Sequence, residues 1–80
     1  MLEKDVRQIL SEHGKLPVEI DTIADDGNLF DAGLTSLTTV NVMLAIEDHF
    51  DVEFDDNMLS RATFQSVQAL ATAIQTLLDE

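Results

Sequence analysis

Fifteen consecutive residues, 36–50, place the strongest constraint on the fold. Their sequence, SLTTVNVMLAIEDHF, contains neither glycine nor proline, the two residues that interrupt helices most strongly. A run of this length without a helix breaker predicts an α-helix that begins at Ser36 and continues to Asp51. We call it the central predicted helix, because it occupies the middle of the sequence.

Three further segments complete a helical pattern. Apolar residues at helical spacing predict an amphipathic helix over residues 2–13, ended by Gly14. Residues 55–60 predict one or two turns of helix. A last helix, capped by Thr63 or Ser66, is predicted from apolar residues three or four positions apart, namely Phe64, Val67, Leu70, Ala71, Ile74, Leu77 and Leu78.

The chain has room for one hydrophobic core, because a domain of 80 residues buries only about 60–65% of the surface that its unfolded form exposes. It contains no cysteine, so helix packing must hold it together without disulfides. Residues 15–35 include Pro17, Gly27 and Gly33 and predict a long ordered loop. We expect an all-α fold, a small four-helix bundle with three longer helices and one short one, in which residues 1–80 form a single domain.

The net charge narrows the classes of partner. Sixteen Asp and Glu residues against four Lys and Arg residues give a net charge of −12 at pH 7. Such a surface repels phosphate backbones and anionic lipids, and no apolar run is long enough to cross a bilayer. We therefore expect no nucleic-acid partner, no membrane insertion, a cytoplasmic location and a monomer.

The central predicted helix has apolar residues on two faces. At about 100° per residue, one stripe consists of Val42, Met43, Ile46 and Phe50. The second stripe consists of Leu37, Val40 and Leu44, beside Asn41, Glu47 and Asp48. Either the helix lies in the middle of the bundle and buries both stripes, or the second stripe is an exposed patch with an acidic edge, suited to a partner with a basic rim.

Ser36 stands at the predicted start of this helix. A hydroxyl there is either an N-cap, a task that Thr35 can also perform, or a point where free N–H groups and the helix dipole favour a phosphate ester. A catalytic dyad with His49 is excluded, because the helix separates the two residues by about 20 Å. His13 is expected to be a partly buried or capping residue. The loop around Gly27 lacks the EF-hand pattern, and we predict no metal site.

The block LFDAGLTSLTTVNVMLAIEDHFDVEF, residues 29–54, resembles the acyl carrier proteins. That family has a Gly-Leu-Asp-Ser-Leu-like motif followed by an apolar helix that ends in acidic residues and Phe. Here the motif is GLTSL at residues 33–37 and the helix ends with EDHF at residues 47–50. The closing ATFQSVQALATAI is similar to the final helix of the family, so the resemblance covers essentially the whole chain. It implies that Ser36 carries 4′-phosphopantetheine.

The resemblance further implies a carrier that is not an enzyme. A phosphopantetheinyl transferase would modify Ser36 with coenzyme A and magnesium, and the arm would carry acyl groups as thioesters in fatty acid, lipid or polyketide synthesis. The implied partners are acyltransferases, ketosynthases or acyl-activating enzymes with basic docking patches. The implied docking residues are Thr35, Leu37, Val40, Asn41, Leu44, Glu47 and Asp48. The candidate lining of an acyl pocket between the central and later helices is Ile46, Phe54, Leu59, Val67 and Ala71.

Two positions depart from the family pattern. Thr35 stands where Asp is usual and Asn41 where many members have Glu, which favours a specialised carrier over a general fatty-acid carrier. An aminoacyl or peptidyl carrier is the alternative within the same chemistry, although the acidic Glu47 and Asp48 favour acyl cargo. A non-enzymatic acidic helical adaptor, which binds a basic partner and carries no cofactor, is the alternative from another class.

Overall fold

The computed structural model describes residues 2–79, and every regular element in that range is helical. The elements are α1 (Leu2–His13), α2 (Ser36–Phe50) and α3 (Val67–Leu78), with 3-10 turns at Ile20–Thr22 and Asp56–Met58. The predicted all-α class, the bounds of α1 and the start of α2 are confirmed, whereas α2 ends at Phe50, one residue before the predicted Asp51, which is its C-cap. The predicted fourth, short helix is a single 3-10 turn of three residues.

The core lies where the three helices meet, since α1 packs against both α2 and α3. It contains most of the predicted apolar positions of α1 and α3, together with Val42 and Ile46 of the first stripe of α2. Leu78, which was predicted on the apolar face of the last helix, is instead 44% exposed. Two loop residues, Leu29 and Leu34, are also buried in it. The fully buried larger side chains are Val6, Leu10, Leu29, Val42, Ile46, Val67, Leu70 and Ile74. Burial of Leu29 and Leu34 fixes the long loop across the bundle immediately before α2.

The loop is further ordered by its own polar groups. The Asn28 side-chain oxygen accepts hydrogen bonds from the backbone N–H groups of Phe30 at 2.9 Å and Asp31 at 3.1 Å. Gly33 has a φ of 123°, and a Cβ there would lie 2.5 Å from Pro17 Cδ. Only glycine fits this turn without strain. The loop therefore delivers the residues after Gly33 to the start of α2 in a fixed direction.

Of the two predicted N-caps of the last helix, Ser66 is confirmed, and α3 begins after Phe64, which the apolar pattern had included in the helix. Ser66 is its N-cap and accepts a hydrogen bond from the Ala69 N–H at 3.0 Å, so Thr63 does not cap the helix. Phe64 lies in the turn before α3, where it is buried and its ring centroid is 5.4 Å from that of Phe54. This aromatic pair anchors the segment between α2 and α3 to the core.

Candidate functional site

Thr35, and not Ser36, caps the start of α2. The Thr35 hydroxyl oxygen accepts a hydrogen bond from the Thr38 N–H at 3.1 Å, and the Thr38 hydroxyl oxygen accepts one from the Thr35 N–H at 3.0 Å. This reciprocal pair is a capping box, in which two otherwise unpaired N–H groups are satisfied. The capping task that the sequence assigned to either residue is therefore performed by Thr35.

Ser36 occupies the first helical position and is exposed. Within residues 2–79 its hydroxyl has no hydrogen-bond partner, and the N–H groups of Ser36 and Leu37 have no acceptor. Unpaired N–H groups and the helix dipole together give this end of α2 a partial positive charge. The position thus combines an accessible alcohol with a local environment that stabilises an anion.

The second apolar stripe of α2 is exposed. Leu37 is 76% exposed, Val40 48% and Leu44 54%, whereas Val42 and Ile46 of the first stripe are fully buried. The interpretation that α2 buries both stripes is therefore wrong. Leu37, Val40 and Leu44, which we call the exposed stripe, run from Ser36 along α2, with Asn41 and Asp48 also exposed beside them.

Glu47 differs from its neighbour Asp48. Its carboxylate accepts a hydrogen bond from the Phe54 N–H at 3.0 Å, and its backbone oxygen accepts from Val52 N–H at 3.1 Å. Between these contacts the chain reverses at Asp51, which has a left-handed φ of 55°. Glu47 is half-buried and holds the end of α2 to the segment that follows. The sequence did not predict this contact, because it depends on how the chain turns after α2.

A groove of about 370 Å³ lies beside Ser36, which forms part of its wall. We call it the Ser36 groove. It runs between α2 and the segment before α3, and it is lined by Phe30, Ser36, Thr39, Val40, Met43, Leu59, Ser60, Arg61 and Phe64. The guanidinium carbon of Arg61 lies 4.0 Å from the centroid of the Phe30 ring. Sequence reasoning missed Arg61 and Phe30, whose proximity joins segments that are distant along the chain.

The two histidines take no part in this groove. His13 and His49 are both exposed, and the His49 ring packs edge-on against Phe50 with centroids 4.7 Å apart. Within residues 2–79 no group of three His, Cys, Asp or Glu side chains is placed to hold a metal ion. In the same part of the chain, no helix has the length and hydropathy needed to cross a bilayer.

Comparison with known proteins identifies the family of the chain. The family model described as "Phosphopantetheine attachment site" matches residues 4–74. The chain belongs to this carrier family. It is 46% identical over 74 residues to an aminoacyl carrier protein of Agrobacterium fabrum, with 92% of this chain and 89% of the relative covered. The resemblance to carrier proteins that the GLTSL motif indicated is confirmed.

Two solved structures of carrier proteins share its fold. One is a chain in the complex of an engineered Bradyrhizobium japonicum glycine:[carrier protein] ligase with a carrier protein from Agrobacterium tumefaciens and AMP. The two chains superpose with a TM-score of 0.88 and are 44% identical in sequence, and the match covers 91% of this chain and 97% of the other. The other is a holo acyl carrier protein from Nitrosomonas europaea, with a TM-score of 0.85 and 30% identity over 98% of this chain and 96% of that one.

The cofactor of this carrier is covalently attached 4′-phosphopantetheine. The start of α2 fits such a group in two respects. The exposed Ser36 hydroxyl could provide the oxygen of the phosphodiester, and the unpaired N–H groups of the first turn would favour its negative charge. Thr35 performs the capping, so loss of a free hydroxyl at Ser36 leaves the helix start intact.

The five residues predicted to line an acyl pocket lie in two different places in the structure. Ile46, Phe54, Val67 and Ala71 are buried, and all four lie away from the Ser36 groove. Only Leu59 of the predicted lining borders the groove, and it is 48% exposed. The other four positions belong to the buried core, and their role in an acyl pocket stays a prediction.

Proposed function

We propose that the chain is an aminoacyl carrier protein that bears 4′-phosphopantetheine on Ser36 and receives its amino acid from an amino acid:[carrier protein] ligase. The observation that carries the attachment is the exposed Ser36 hydroxyl, free of the capping box at the start of α2. The aminoacyl cargo is supported by the likeness to the Agrobacterium aminoacyl carrier protein and to the carrier complexed with a glycine ligase.

The packing of the core supports small cargo. Ile46, Phe54 and Val67 are buried among other side chains, and the Ser36 groove is open to solvent. A long acyl chain left in water forgoes about 0.8 kcal/mol for each methylene that burial would desolvate. A short aminoacyl group has little apolar surface, so it gains little from burial and needs no apolar pocket. The preference for acyl cargo drawn from the acidic end of α2 weakens further because Glu47 is engaged with Phe54.

The exposed stripe is the proposed docking surface for the ligase. Leu37, Val40 and Leu44 offer apolar area beside Ser36, with Asp48 as the exposed carboxylate at the far end. Thr35 and Asn41 are uncharged, and they complete the proposed surface with Glu47, whose carboxylate is already bonded. Docking should therefore rest more on apolar contact and less on ion pairs, with a correspondingly weak dependence on salt.

The role of the protein in the reaction is to present its arm. The arm supplies a thiol that holds the amino acid as a thioester. The described residues hold the attachment oxygen at the exposed end of a rigid helix and place apolar contacts next to it. In this proposal the bond-making groups belong to the transferase and the ligase, and the carrier is not an enzyme.

Loading of Ser36 is tested by intact mass spectrometry after incubation with coenzyme A, Mg²⁺ and a broad phosphopantetheinyl transferase. We expect the mass of one phosphopantetheine to be added to the wild type and none to be added to Ser36→Ala. Ser60→Ala is the matched control, because Ser60 borders the same groove and is also exposed. An unmodified wild type, alongside a carrier that the same transferase modifies, would favour the adaptor.

The cargo is tested with the loaded protein. A glycine:[carrier protein] ligase with ATP and a panel of amino acids is compared with a malonyl or acyl transferase and its coenzyme A thioester. We expect an aminoacyl mass from the ligase and no acyl mass from the transferase. The opposite pattern would establish acyl carriage, the second candidate, which the likeness to the Nitrosomonas acyl carrier protein favours.

A further inference from the structure

Arg61 is the basic residue that borders the Ser36 groove. Arg7 is engaged internally: it pairs with Asp25 at 2.6 Å and donates to the Ile20 backbone oxygen at 2.9 Å. Arg61 has no carboxylate within 4.0 Å and no side-chain hydrogen bond among residues 2–79. Lys4 and Lys15 also have no ion pair among residues 2–79, but neither of them borders the Ser36 groove. Arg61 therefore differs in its position, which places an unneutralised positive charge beside the proposed modification site.

The Arg61 side chain is held in place without neutralising its charge. Its guanidinium stacks on the Phe30 ring at 4.0 Å, and its backbone oxygen accepts a hydrogen bond from the Phe64 N–H at 3.2 Å. Phe30 is fixed in turn by Asn28 and by packing against the core. Stacking engages the face of the guanidinium, whereas its N–H donors lie at the edge of the plane and stay available.

Arg61 and Ser36 border the same groove, whose other walls include the apolar Val40, Met43 and Leu59. Resting on the proposed attachment to Ser36, we infer that Arg61 binds the phosphodiester of the phosphopantetheine arm and directs the arm into the Ser36 groove. The phosphodiester carries one negative charge. The first-turn N–H groups of α2 and the guanidinium edge together give it donors and a positive charge.

The proposed contact between Arg61 and the phosphodiester is weak enough to be reversible. Arg61 is exposed, so water and salt compete for the guanidinium. The arm is held in the groove while the carrier is free, and a ligase that covers the exposed stripe can withdraw it. Arg61 is thus a positioning residue, one that acts on where the arm lies and has no part in bond making.

The test compares ¹⁵N-labelled apo and holo protein by NMR. We expect conversion to the holo form to shift the Arg61 Nε–H resonance more than that of Arg7, and the shift to shrink in 1 M NaCl. The amide groups of an isotope-labelled arm should be less mobile in the wild type than in Arg61→Gln. Phe30→Leu, which removes the stacking surface and keeps an apolar side chain, should also release the arm. Lys4→Gln, which removes an exposed charge on α1, should leave arm mobility unchanged.

The outcomes separate this inference from the proposed function. If mass spectrometry shows no loading of Ser36, the proposed attachment fails, and this inference fails with it. If Ser36 is loaded, but the Arg61 Nε–H resonance does not move between the apo and holo forms and the arm is as mobile in the wild type as in Arg61→Gln, this inference alone is overturned. Arg61→Lys refines the result: restoration of the ordered arm shows that charge suffices, and failure to restore it shows that the planar fork is needed.

Discussion

Two adjacent hydroxyls at the start of α2 have different tasks. Thr35 closes the capping box with Thr38, and Ser36 projects into solvent without a partner among residues 2–79. Residue preferences alone cannot separate the two, because Ser and Thr are both good N-caps. The separation comes from position: a cap residue needs an extended backbone, and Thr35 has it with φ −109° and ψ 168°.

This division predicts opposite effects of two substitutions on stability. Thr35→Ala removes the capping oxygen and should lower the free energy of unfolding by about 1 kcal/mol. Thr35→Asp keeps an acceptor and adds a negative charge at the positive end of the helix, so it should be at least as stable as the wild type. Urea unfolding followed by circular dichroism measures both. Ser36→Ala serves as control and should change stability by less than about 0.5 kcal/mol; equal losses at both positions would contradict the assignment of the cap.

Among the helices, α2 shows most clearly what the spacing of apolar residues predicts and what it leaves undecided. The absence of helix breakers predicted its bounds, and the spacing of Val42 and Ile46 predicted its buried face. The sequence could not decide whether Leu37, Val40 and Leu44 are buried or exposed, because a second apolar stripe is expected both in a central helix and in a docking helix. Only the placement of α1 and α3, both away from that stripe, decides it.

The contact between Glu47 and Phe54 gives a prediction about the end of this element. Glu47→Ala leaves the Phe54 N–H, which is partly buried, without an acceptor and should cost about 1–3 kcal/mol. Glu47→Gln retains an oxygen and should cost less. Asp48→Ala is the matched control, since Asp48 is exposed on the next position. Urea unfolding gives the stability, and faster hydrogen exchange at Phe54 locates the loss; an equal effect at Asp48 would refute the structural role of Glu47.

Considered as a whole, the molecule brings together groups that the sequence keeps apart. Three segments form the Ser36 groove: the long loop contributes Phe30, α2 contributes Ser36, and the segment before α3 contributes Arg61. No local pattern predicts such a meeting, which is why the sequence analysis did not predict this groove. The motif around Ser36 was accessible to sequence reasoning because it is continuous along the chain.

The net charge of −12 is also a property of the whole molecule. The principal extents are 33 × 25 × 19 Å, and the Debye length is about 30 Å at 0.01 M salt and about 10 Å at 0.1 M. At low salt, nearly all of the acidic groups therefore repel one another across the entire fold. Above 0.1 M each group is influenced mainly by its neighbours. The compact state should gain stability as salt is added, without any specific ion site.

We expect the double variant Asp55→Asn and Asp56→Asn to be more stable than the wild type by about 0.5–1 kcal/mol at 0.01 M salt. Both side chains are exposed, and Asp55 makes no capping hydrogen bond with its carboxylate. The gain should disappear as NaCl approaches 0.5 M, because screening removes the repulsion that the substitutions relieve. MgCl₂ at matched ionic strength should raise the wild-type melting temperature by the same amount as NaCl. A larger, saturable effect of Mg²⁺ that persists in high NaCl would show that a discrete cation site, and not diffuse repulsion, controls the stability of this carrier.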